Sequence, residues 1–311
     1  QWKKKKISRN SYAWLWFYLA FWSLYSFEEA QVPPPIGENQ YMHTRMMRRA
    51  LSTTAPSKVI AVFGGNGYLG SRIVECAVAN GIHVVSINRS GKPSYVKKES
   101  SLITWKKGDI FNENDWKDDI AAVDGVISCV GAFGSNEFML KINGDANIHA
   151  ISQSLRAGVP RFVYVSTVEN NLPDALLKGY FDGKRNAEQA LLDAFPAPAA
   201  GVVLRPGFIY GTREVPLPSG GTLPLPLGLL GQPLSLLLQL GIFDQLRTKI
   251  PGMLAVLAPP LPVESVAKVA VAAAVGDDPA VLQACTDPSS GRPNVLSVAD
   301  IANVVELTAL K

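Results

Sequence analysis

Short apolar runs alternate with amphipathic stretches along the chain from residue 58 onward. Runs of about four to eight residues rich in Val and Ile are typical of strands buried in a parallel sheet, and the stretches between them have the length of helices. We therefore predict an α/β fold, with a doubly wound, mainly parallel Rossmann sheet and a small C-terminal substrate lobe. The predicted strands are Lys58–Phe63, His83–Ile87, Leu102–Trp105, Gly125–Gly131, Arg161–Thr167 and Gly201–Leu204, and the predicted helices include Ser71–Asn80, Asn136–Ala157, Ala187–Phe195 and Val298–Leu310.

Residues 1–57 differ from the rest and are predicted to be a targeting or disordered segment in front of a 58–311 domain. The aromatic run Ala13–Phe27 is intermediate in length between a signal-peptide core and a membrane-spanning helix. Arg-rich, acid-free sequence follows between Glu38 and Glu75, which is the composition of a transit peptide. Arg49-Ala50-Leu51-Ser52 resembles a mitochondrial presequence cleavage signal. We predict import into mitochondria, with the plastid as the alternative, and whether residues 1–45 occur in the mature protein stays open.

Charge and cysteine usage exclude several function classes. Lys and Arg total 30 and Asp and Glu total 26, giving a net charge of +4, and four of the lysines are clustered at Lys3–Lys6. The remaining chain is close to neutral, so we predict no nucleic-acid partner. Cys76, Cys129 and Cys285 are far apart, and the three histidines are scattered. We therefore predict neither a disulfide framework nor a metal site.

A glycine motif follows the first predicted strand and precedes the first predicted helix. Gly64 permits a tight turn, Gly67 lets the backbone approach a pyrophosphate, and Gly70 lets the helix pack closely on the strand. The N–H groups at the start of the helix then face the phosphates. An ordinary loop is the alternative, but the strand–turn–helix context favours a dinucleotide cofactor. The predicted cofactor-binding residues here are Gly64, Gly65, Asn66, Gly67, Tyr68, Leu69 and Gly70.

The residues after the second predicted strand indicate which cofactor is bound. An acidic residue at this point would accept from the ribose 2′-hydroxyl of NAD. This chain has Asn88, Arg89 and Ser90 instead, followed by Lys92. An arginine pairs with a phosphate through charge-assisted hydrogen bonds. We predict that these residues bind NADP(H) in preference to NAD(H), with a solvated basic loop as the alternative.

Candidate catalytic residues follow the fifth predicted strand. Ser166 and Thr167 end that strand, and a Y-x-x-x-K motif places Tyr180 and Lys184 on one face of a helix. A phenol has a pKa of about 10, and a neighbouring ammonium lowers it. We predict that the Ser/Thr hydroxyl polarises a carbonyl while Tyr180 transfers a proton. The alternative is that this motif is an ordinary helix surface.

These motifs resemble those of the extended and atypical short-chain dehydrogenases/reductases over about residues 58–276. The resemblance rests on G-x-x-G-x-x-G, Y-x-x-x-K, R-P-x-x-x-Y-G from Arg205 and a late V-E-S-V-A step from Val263. It implies that Lys184 also holds the nicotinamide ribose and that Asn143 supports catalysis, although Asn143 could equally be a helix N-cap or turn residue. The further cofactor-binding residues that it implies are Asp109, at an adenine clamp, with Ile110, Val130, Gly131, Pro206 and Gly207.

The motifs are similar, more narrowly, to those of an organellar group of plant and algal NAD(P)-binding Rossmann proteins. That group includes a fungal mitochondrial protein of coenzyme Q (ubiquinone) biosynthesis and is related to the NADPH-binding accessory subunit of complex I. The resemblance implies an oxidoreductase acting on a small apolar, quinone-related substrate. The alternative is a non-catalytic NADPH-binding assembly factor at the mitochondrial membrane or in a respiratory or quinone-biosynthesis complex. The expected substrate lobe, about 212–311, contains an apolar stretch at Leu229–Leu246 and a Pro- and Gly-rich stretch at Val215–Leu227 that predicts irregular structure.

Overall fold

The computed structural model describes residues 58–93, 100–168, 177–216, 222–226 and 258–310. For residues 213–216 and 222–226 it describes the backbone only. The strands are β1 (Val59–Phe63), β2 (His83–Asn88), β3 (Ile103–Lys107), β4 (Gly125–Ser128), β5 (Phe162–Val165), β6 (Gly201–Leu204), β7 (Ile209–Tyr210), β8 (Thr212–Pro216), β9 (Thr222–Pro226), β10 (Leu261–Pro262) and β11 (Val295–Leu296). The α-helices are α1 (Tyr68–Ala79), α2 (Lys117–Ile120), α3 (Asn136–Leu140), α4 (Ala146–Arg156), α5 (Lys178–Ala194), α6 (Val263–Val275), α7 (Pro279–Thr286) and α8 (Val298–Leu307). A 3₁₀ turn lies at Glu113–Asp115, and a π-helical turn, Lys141–Asp145, joins α3 to α4.

Seven strands form one sheet in the order β11-β6-β5-β4-β1-β2-β3, and every pairing in it is parallel. The predicted α/β fold with a parallel Rossmann sheet is therefore confirmed. The strand order reverses between β1 and β4, and ligands of such sheets bind outside the carboxyl ends of the strands at that point. The motifs that follow β1, β2, β4 and β5 all lie at this edge.

Helices cover both faces of the sheet, because the strands are apolar on both sides. One core cluster joins the sheet to α1, α6, α7 and α8, with Ile73 and Val266 among its fully buried residues. The second cluster joins the opposite face to α2, α4 and α5 and contains Trp116 and Leu191. The sheet is doubly wound, as the alternating pattern predicts.

The C-terminal part of the chain contributes to the sheet and its layers. Strand β11 pairs with β6 at the edge, and α6 packs so closely on β4 that a Cβ at Gly125 would lie 2.3 Å from the Ala274 carbonyl oxygen. The range of about 212–311 predicted as a substrate lobe thus includes elements of the Rossmann core. The apolar stretch Leu229–Leu246 and the N-terminal segment 1–57 lie outside the described residues.

Two details differ from the sequence-based expectations. The irregular structure predicted for 215–227 is wrong in part, because β8 and β9 form an antiparallel ribbon in which Glu214 pairs with Pro224. A two-stranded ribbon consists of edge strands only, where a proline is tolerated. Helix α1 begins at Tyr68, three residues earlier than predicted, directly after Gly67.

Within the described residues, no helix is both long enough and apolar enough to cross a bilayer.

Candidate functional site

The glycine turn between β1 and α1 has the geometry of a phosphate cradle. Gly64 has φ +81°, and the Gly67 N–H donates to the Gly64 carbonyl oxygen at 2.9 Å. A Cβ at Gly70 would lie 2.2 Å from that same oxygen, so no larger residue fits there. Gly67 is the N-cap of α1 and offers no side chain to its N–H groups. The first turn of α1 is therefore open to an anion.

A cleft of about 840 Å³ extends from this turn along the carboxyl edge of the sheet. Sequence-predicted residues that line it are Gly64, Asn66, Gly67, Asn88, Arg89, Ser90, Asp109, Ile110, Val130 and Gly131. The sequence analysis did not predict the other lining residues as part of a site; among them are Phe111, Ala132, Phe138, Lys141 and Ile142. Gly65, Leu69 and Gly70 are buried behind the turn, and the Leu69 side chain belongs to the core. Leu69 can contact a cofactor only through its backbone.

The loop after β2 is tied to the glycine turn by polar side chains. The buried Asn88 accepts from the Asn66 N–H through Oδ1 at 2.9 Å and donates through Nδ2 to Ser86 Oγ at 2.9 Å. Arg89 and Ser90 are exposed at the margin of the cleft. Asn88 therefore supports the turn, and the exposed side chains of this loop that line the cleft are those of Arg89 and Ser90.

The far end of the cleft has an apolar wall suited to a flat ring. Asp109 Oδ1 accepts from the Phe111 N–H at 3.0 Å, and its carbonyl oxygen accepts from the Trp116 indole at 2.9 Å. These bonds fix Asp109 at the cleft, where its proposed contact with an adenine amino group stays a prediction. Lys141 Nζ lies 5.3 Å from the Phe111 ring centroid, a cation–π contact that joins the two sides of this end.

Asn143 lies inside the π-helical turn and is fully buried. Its Nδ2 donates to the carbonyl oxygens of Ala132 and Met139 at 2.9 and 2.8 Å, and its Oδ1 accepts from the Ala132 N–H at 3.3 Å. The alternative of an N-cap or turn residue is wrong, because the helix continues on both sides. The π-turn leaves the Asn143 carbonyl to accept from Tyr164 Oη at 2.9 Å and Asn147 Nδ2 at 3.0 Å. Asn143 thus holds the loop after β4 in place.

Ser166, Thr167 and Tyr180 come together at the end of β5. The Tyr180 hydroxyl forms a hydrogen bond with Thr167, which lowers the pKa of the phenol, but burial raises that pKa by more, so that it lies above 10. Ser166 is buried, and its Oγ has no hydrogen-bond partner among the described residues. A buried hydroxyl without a partner costs free energy, so this atom is suited to a ligand. The ring of Phe133 stacks on Tyr180, with centroids 4.8 Å apart.

Lys184 is buried beside this group, one turn further along α5. Its Nζ donates to the Val165 carbonyl oxygen at 2.8 Å and lies 4.8 Å from the Tyr164 ring centroid. Burial lowers the pKa of Lys184 from 10.5 to about 8. The expectation that Lys184 lowers the pKa of Tyr180 is wrong for this structure, because Arg185 and Thr167 are the groups that lower it and burial outweighs both.

Three charged side chains that the sequence analysis did not assign lie directly behind Thr167. Glu188 is buried between Arg185 and Arg205, and its Oε2 lies 2.5 Å from Arg205 Nη2. Arg185 Nη2 also donates to the carbonyl oxygens of Thr167 and Val168. This ion triad therefore fixes the backbone that carries Thr167. Its sequence signal is the i, i+3 pair of Arg185 and Glu188, which also occurs on helix surfaces.

The segment after β6 reaches the start of α1. The Pro206 carbonyl oxygen accepts from the Val168 N–H at 3.0 Å, and Gly207 packs against Ala258. A Cβ at Gly211 would lie 3.1 Å from the Tyr68 hydroxyl. Pro206 and Gly207 thus lie on the Ser166 side of the site, while the Tyr68 side chain extends toward Gly211.

Gly131 is the point where the cleft comes close to Lys184. It lines the cleft, and a Cβ there would lie 2.8 Å from Asn143 Oδ1 and 3.4 Å from Lys184 Nζ. The described residues that line the cleft do not include Ser166, Thr167, Tyr180 or Lys184, so these four side chains lie beyond its lining on the Gly131 side. Among the described residues, no three His, Cys, Asp or Glu side chains cluster as metal ligands would.

This fold and the cleft at the glycine turn define a Rossmann protein with a dinucleotide site. The chain belongs to the NAD(P)H-binding family, whose pattern matches residues 64–214. It is 42% identical over 229 residues to an uncharacterised chloroplastic protein of Arabidopsis thaliana, and the alignment covers 71% of this chain and 73% of that protein.

Two further likenesses have narrower scope. MIOREX complex component 2 of Saccharomyces cerevisiae is 35% identical over 83 residues, which is 25% of this chain and 30% of that protein. An epimerase from Methanothermobacter thermautotrophicus superposes with a TM-score of 0.51 at 17% identity, covering 80% of this chain and 76% of that one. The second likeness shows the shared fold alone.

Proposed function

We propose that the protein is an NADP(H)-dependent oxidoreductase of short-chain dehydrogenase type that acts on a carbonyl or alcohol of an apolar substrate. The observation that carries this proposal is the Ser166 hydroxyl. It is buried without a partner among the described residues, next in the chain to Thr167, which pairs with Tyr180. A carbonyl oxygen of a substrate would supply the missing partner.

The chain's own residues would bind the cofactor, orient the substrate and transfer a proton. The open first turn of α1 would bind the pyrophosphate, and the bound nicotinamide would supply the hydride. Ser166 would donate a hydrogen bond to the substrate oxygen, and Tyr180 would protonate that oxygen as it becomes an alcohol. The raised pKa of Tyr180 keeps this proton in place at neutral pH. Lys184 would orient the site from behind through its bond to the Val165 carbonyl.

Preference for NADP(H) over NAD(H) is supported by the charges at the end of β2. Arg89 stands at the margin of the cleft where NAD-selective proteins have an acidic residue. An apolar substrate is supported by Phe133, whose ring is 69% exposed beside Tyr180. A quinone-related molecule, which the family resemblance implies, is the finer form of this proposal.

Turnover tests the proposal. Purified protein is incubated with NADPH and a panel of apolar aldehydes, ketones and short-chain quinones, and loss of NADPH absorbance is followed. Tyr180→Phe should reduce turnover about 10²–10⁴-fold, the usual contribution of a positioned acid, while NADPH affinity changes little. The catalytic proposal fails if no compound of the panel causes the parent protein to oxidise NADPH. It also fails if Tyr180→Phe is as active as the parent.

A second candidate is a non-catalytic NADPH-binding assembly factor for a respiratory or quinone-biosynthesis complex or its membrane. The stacking of Phe133 on Tyr180 favours it, because the ring covers one face of the predicted acid. In this case Tyr180→Phe would rescue a null strain as well as the parent gene does. A Gly70→Ala variant, which cannot form the cradle, would fail to rescue.

We propose that the protein works in an organelle. The relative that is 42% identical carries a chloroplastic name, which supports the plastid alternative over the mitochondrion predicted from Arg49-Ala50-Leu51-Ser52. N-terminal sequencing of protein from isolated plastids and mitochondria decides both points. A mature chain that begins near Ser52 in either fraction supports import and processing, and one that begins near Gln1 refutes them.

A further inference from the structure

Asn66 joins the glycine turn to the loop after β2. Its Nδ2 donates to Ser90 Oγ at 2.9 Å and to the Gly91 carbonyl oxygen at 2.8 Å, while its backbone N–H donates to Asn88 Oδ1. One side chain thus connects the segment suited to a pyrophosphate with the segment that carries Arg89.

The loop that Asn66 holds is otherwise lightly supported. Arg89 and Ser90 are exposed, and Gly91 closes a turn through its N–H, which donates to the Asn88 carbonyl oxygen at 3.1 Å. An exposed loop that must become ordered on binding loses affinity through its conformational entropy. Hydrogen bonds that order it beforehand reduce that cost.

We propose that Asn66 is a positioning residue for coenzyme choice, which holds Arg89 and Ser90 where they meet the 2′-phosphate of NADP(H). This inference rests on the proposed preference for NADP(H). Because Ser90 Oγ accepts from Asn66, its own proton is left for a phosphate oxygen. Asn66 acts through its two neighbours, so its loss weakens the phosphate contacts rather than the pyrophosphate contacts.

A second feature of Asn66 indicates a ligand. Its Oδ1 is buried and has no donor among the described residues, although both N–H bonds of the amide are used. The residue lines the cleft beside Gly67 and Asn88. The 3′-hydroxyl of the adenosine ribose, which NADP(H) keeps, is a donor of the right chemistry for this oxygen. The amide oxygen would then contact the sugar, while the amide nitrogen acts on the 2′-phosphate only through the loop that it holds.

The test is a comparison of affinities for NADPH and NADH, measured by fluorescence titration on the full chain. Variants are Asn66→Ala, Arg89→Ala and the double variant. Asn80→Ala is the matched control, since Asn80 Nδ2 bonds the Cys76 carbonyl at the other end of α1. We expect Asn66→Ala to weaken NADPH binding about tenfold and NADH binding less than about threefold, the loss of one or two hydrogen bonds. Asn80→Ala should change neither affinity.

The double variant shows whether Asn66 acts through Arg89. If it does, the double variant loses no more NADPH affinity than Arg89→Ala alone. Equal losses for both coenzymes in Asn66→Ala, or no loss, would overturn the inference. If Asn66→Ala does not fold, Ser90→Ala removes the acceptor of the Asn66–Ser90 hydrogen bond instead, and it should also weaken NADPH binding more than NADH binding. If the parent binds NADPH and NADH equally well, the proposed preference for NADP(H) fails as well. If the parent prefers NADPH and Asn66→Ala keeps that preference, only the inference about Asn66 is refuted.

Discussion

Lys184 Nζ donates a hydrogen bond to the Val165 carbonyl oxygen at 2.8 Å, in the interior of the protein. The ammonium is therefore bound to the end of β5, and burial brings its pKa down to about 8. A cation with this pKa is partly deprotonated at mildly alkaline pH, which affects both the stability of the fold and the state of the site.

Stability should depend on pH through Lys184. Its pKa is 10.5 in the unfolded chain and about 8 in the folded one, so the unfolded state binds more protons between these values. The contribution of Lys184 to the free energy of unfolding therefore rises from pH 8 to 10.5, by something of the order of 3 kcal/mol, and is constant below pH 8. Lys184→Met should remove this rise in denaturant titrations. Lys178→Met, an exposed residue paired with Asp182 on the same helix, should retain it.

Loss of Glu188 should destabilise the protein strongly. Glu188→Gln removes the buried carboxylate that pairs with the buried Arg205 and the partly exposed Arg185, and breaking a buried ion pair costs about 3–5 kcal/mol. Glu75→Gln removes an exposed carboxylate from its pair with Arg72 and should cost less than about 1 kcal/mol. Urea unfolding of the two variants measures the difference. Similar losses would show that the ion triad does not stabilise the fold.

The close approach at Gly70 should make cofactor binding sensitive to one methyl group. Gly70→Ala would place a Cβ 2.2 Å from the Gly64 carbonyl oxygen, and we expect NADPH affinity to fall at least tenfold as the turn deforms. Gly81→Ala is the control at the far end of α1, where φ is +72° but space is open. It should cost about 1–2 kcal/mol of stability and leave the affinity unchanged. Retained affinity in Gly70→Ala would contradict the cradle.

Phe133 should control the ionisation of Tyr180. Removing its stacked ring in Phe133→Ala exposes the phenol, so the pKa of Tyr180 should fall toward 10. Ultraviolet titration measures this, with Tyr180→Phe in each background used to subtract the other tyrosines. Phe111→Ala, which removes a ring from the lining of the cleft, should leave the pKa of Tyr180 unchanged. An unchanged pKa in Phe133→Ala would mean that other neighbours bury the phenol.

The strands and the glycine turn could be predicted from sequence because their signals are local. The apolar run ending at Phe63 and the glycines after it determine β1 and its turn without reference to distant residues. The ionisation of Tyr180 could not be predicted in this way. Its neighbour Lys184 bonds a carbonyl of another strand, and Phe133 comes from the loop after β4. Both contacts depend on how the layers pack.

Glu188 shows the same limit for charges. From the sequence alone, Arg185 and Glu188 look like an exposed i, i+3 pair, and their burial depends on Arg205 at the end of β6. Asn143 is a third case, because no residue type marks a π-turn. Arg89, by contrast, could be predicted at the site because the prediction depends only on the local motif after β2, and the structure places this residue at the cleft.

The π-turn at Lys141–Asp145 has a consequence for how the cleft can change in evolution. A π-turn contains one extra residue, which rotates the preceding helix by about 100° relative to the following one. The side of α3 that presents Phe138 to the cleft is thereby set independently of the side of α4 that packs on the sheet. Deleting one residue here would turn Phe138 and Lys141 away from the cleft while α4 stayed in place. A change of one residue in the length of the π-turn can thus change which side chains of α3 face the cleft, without any substitution among the residues that line it.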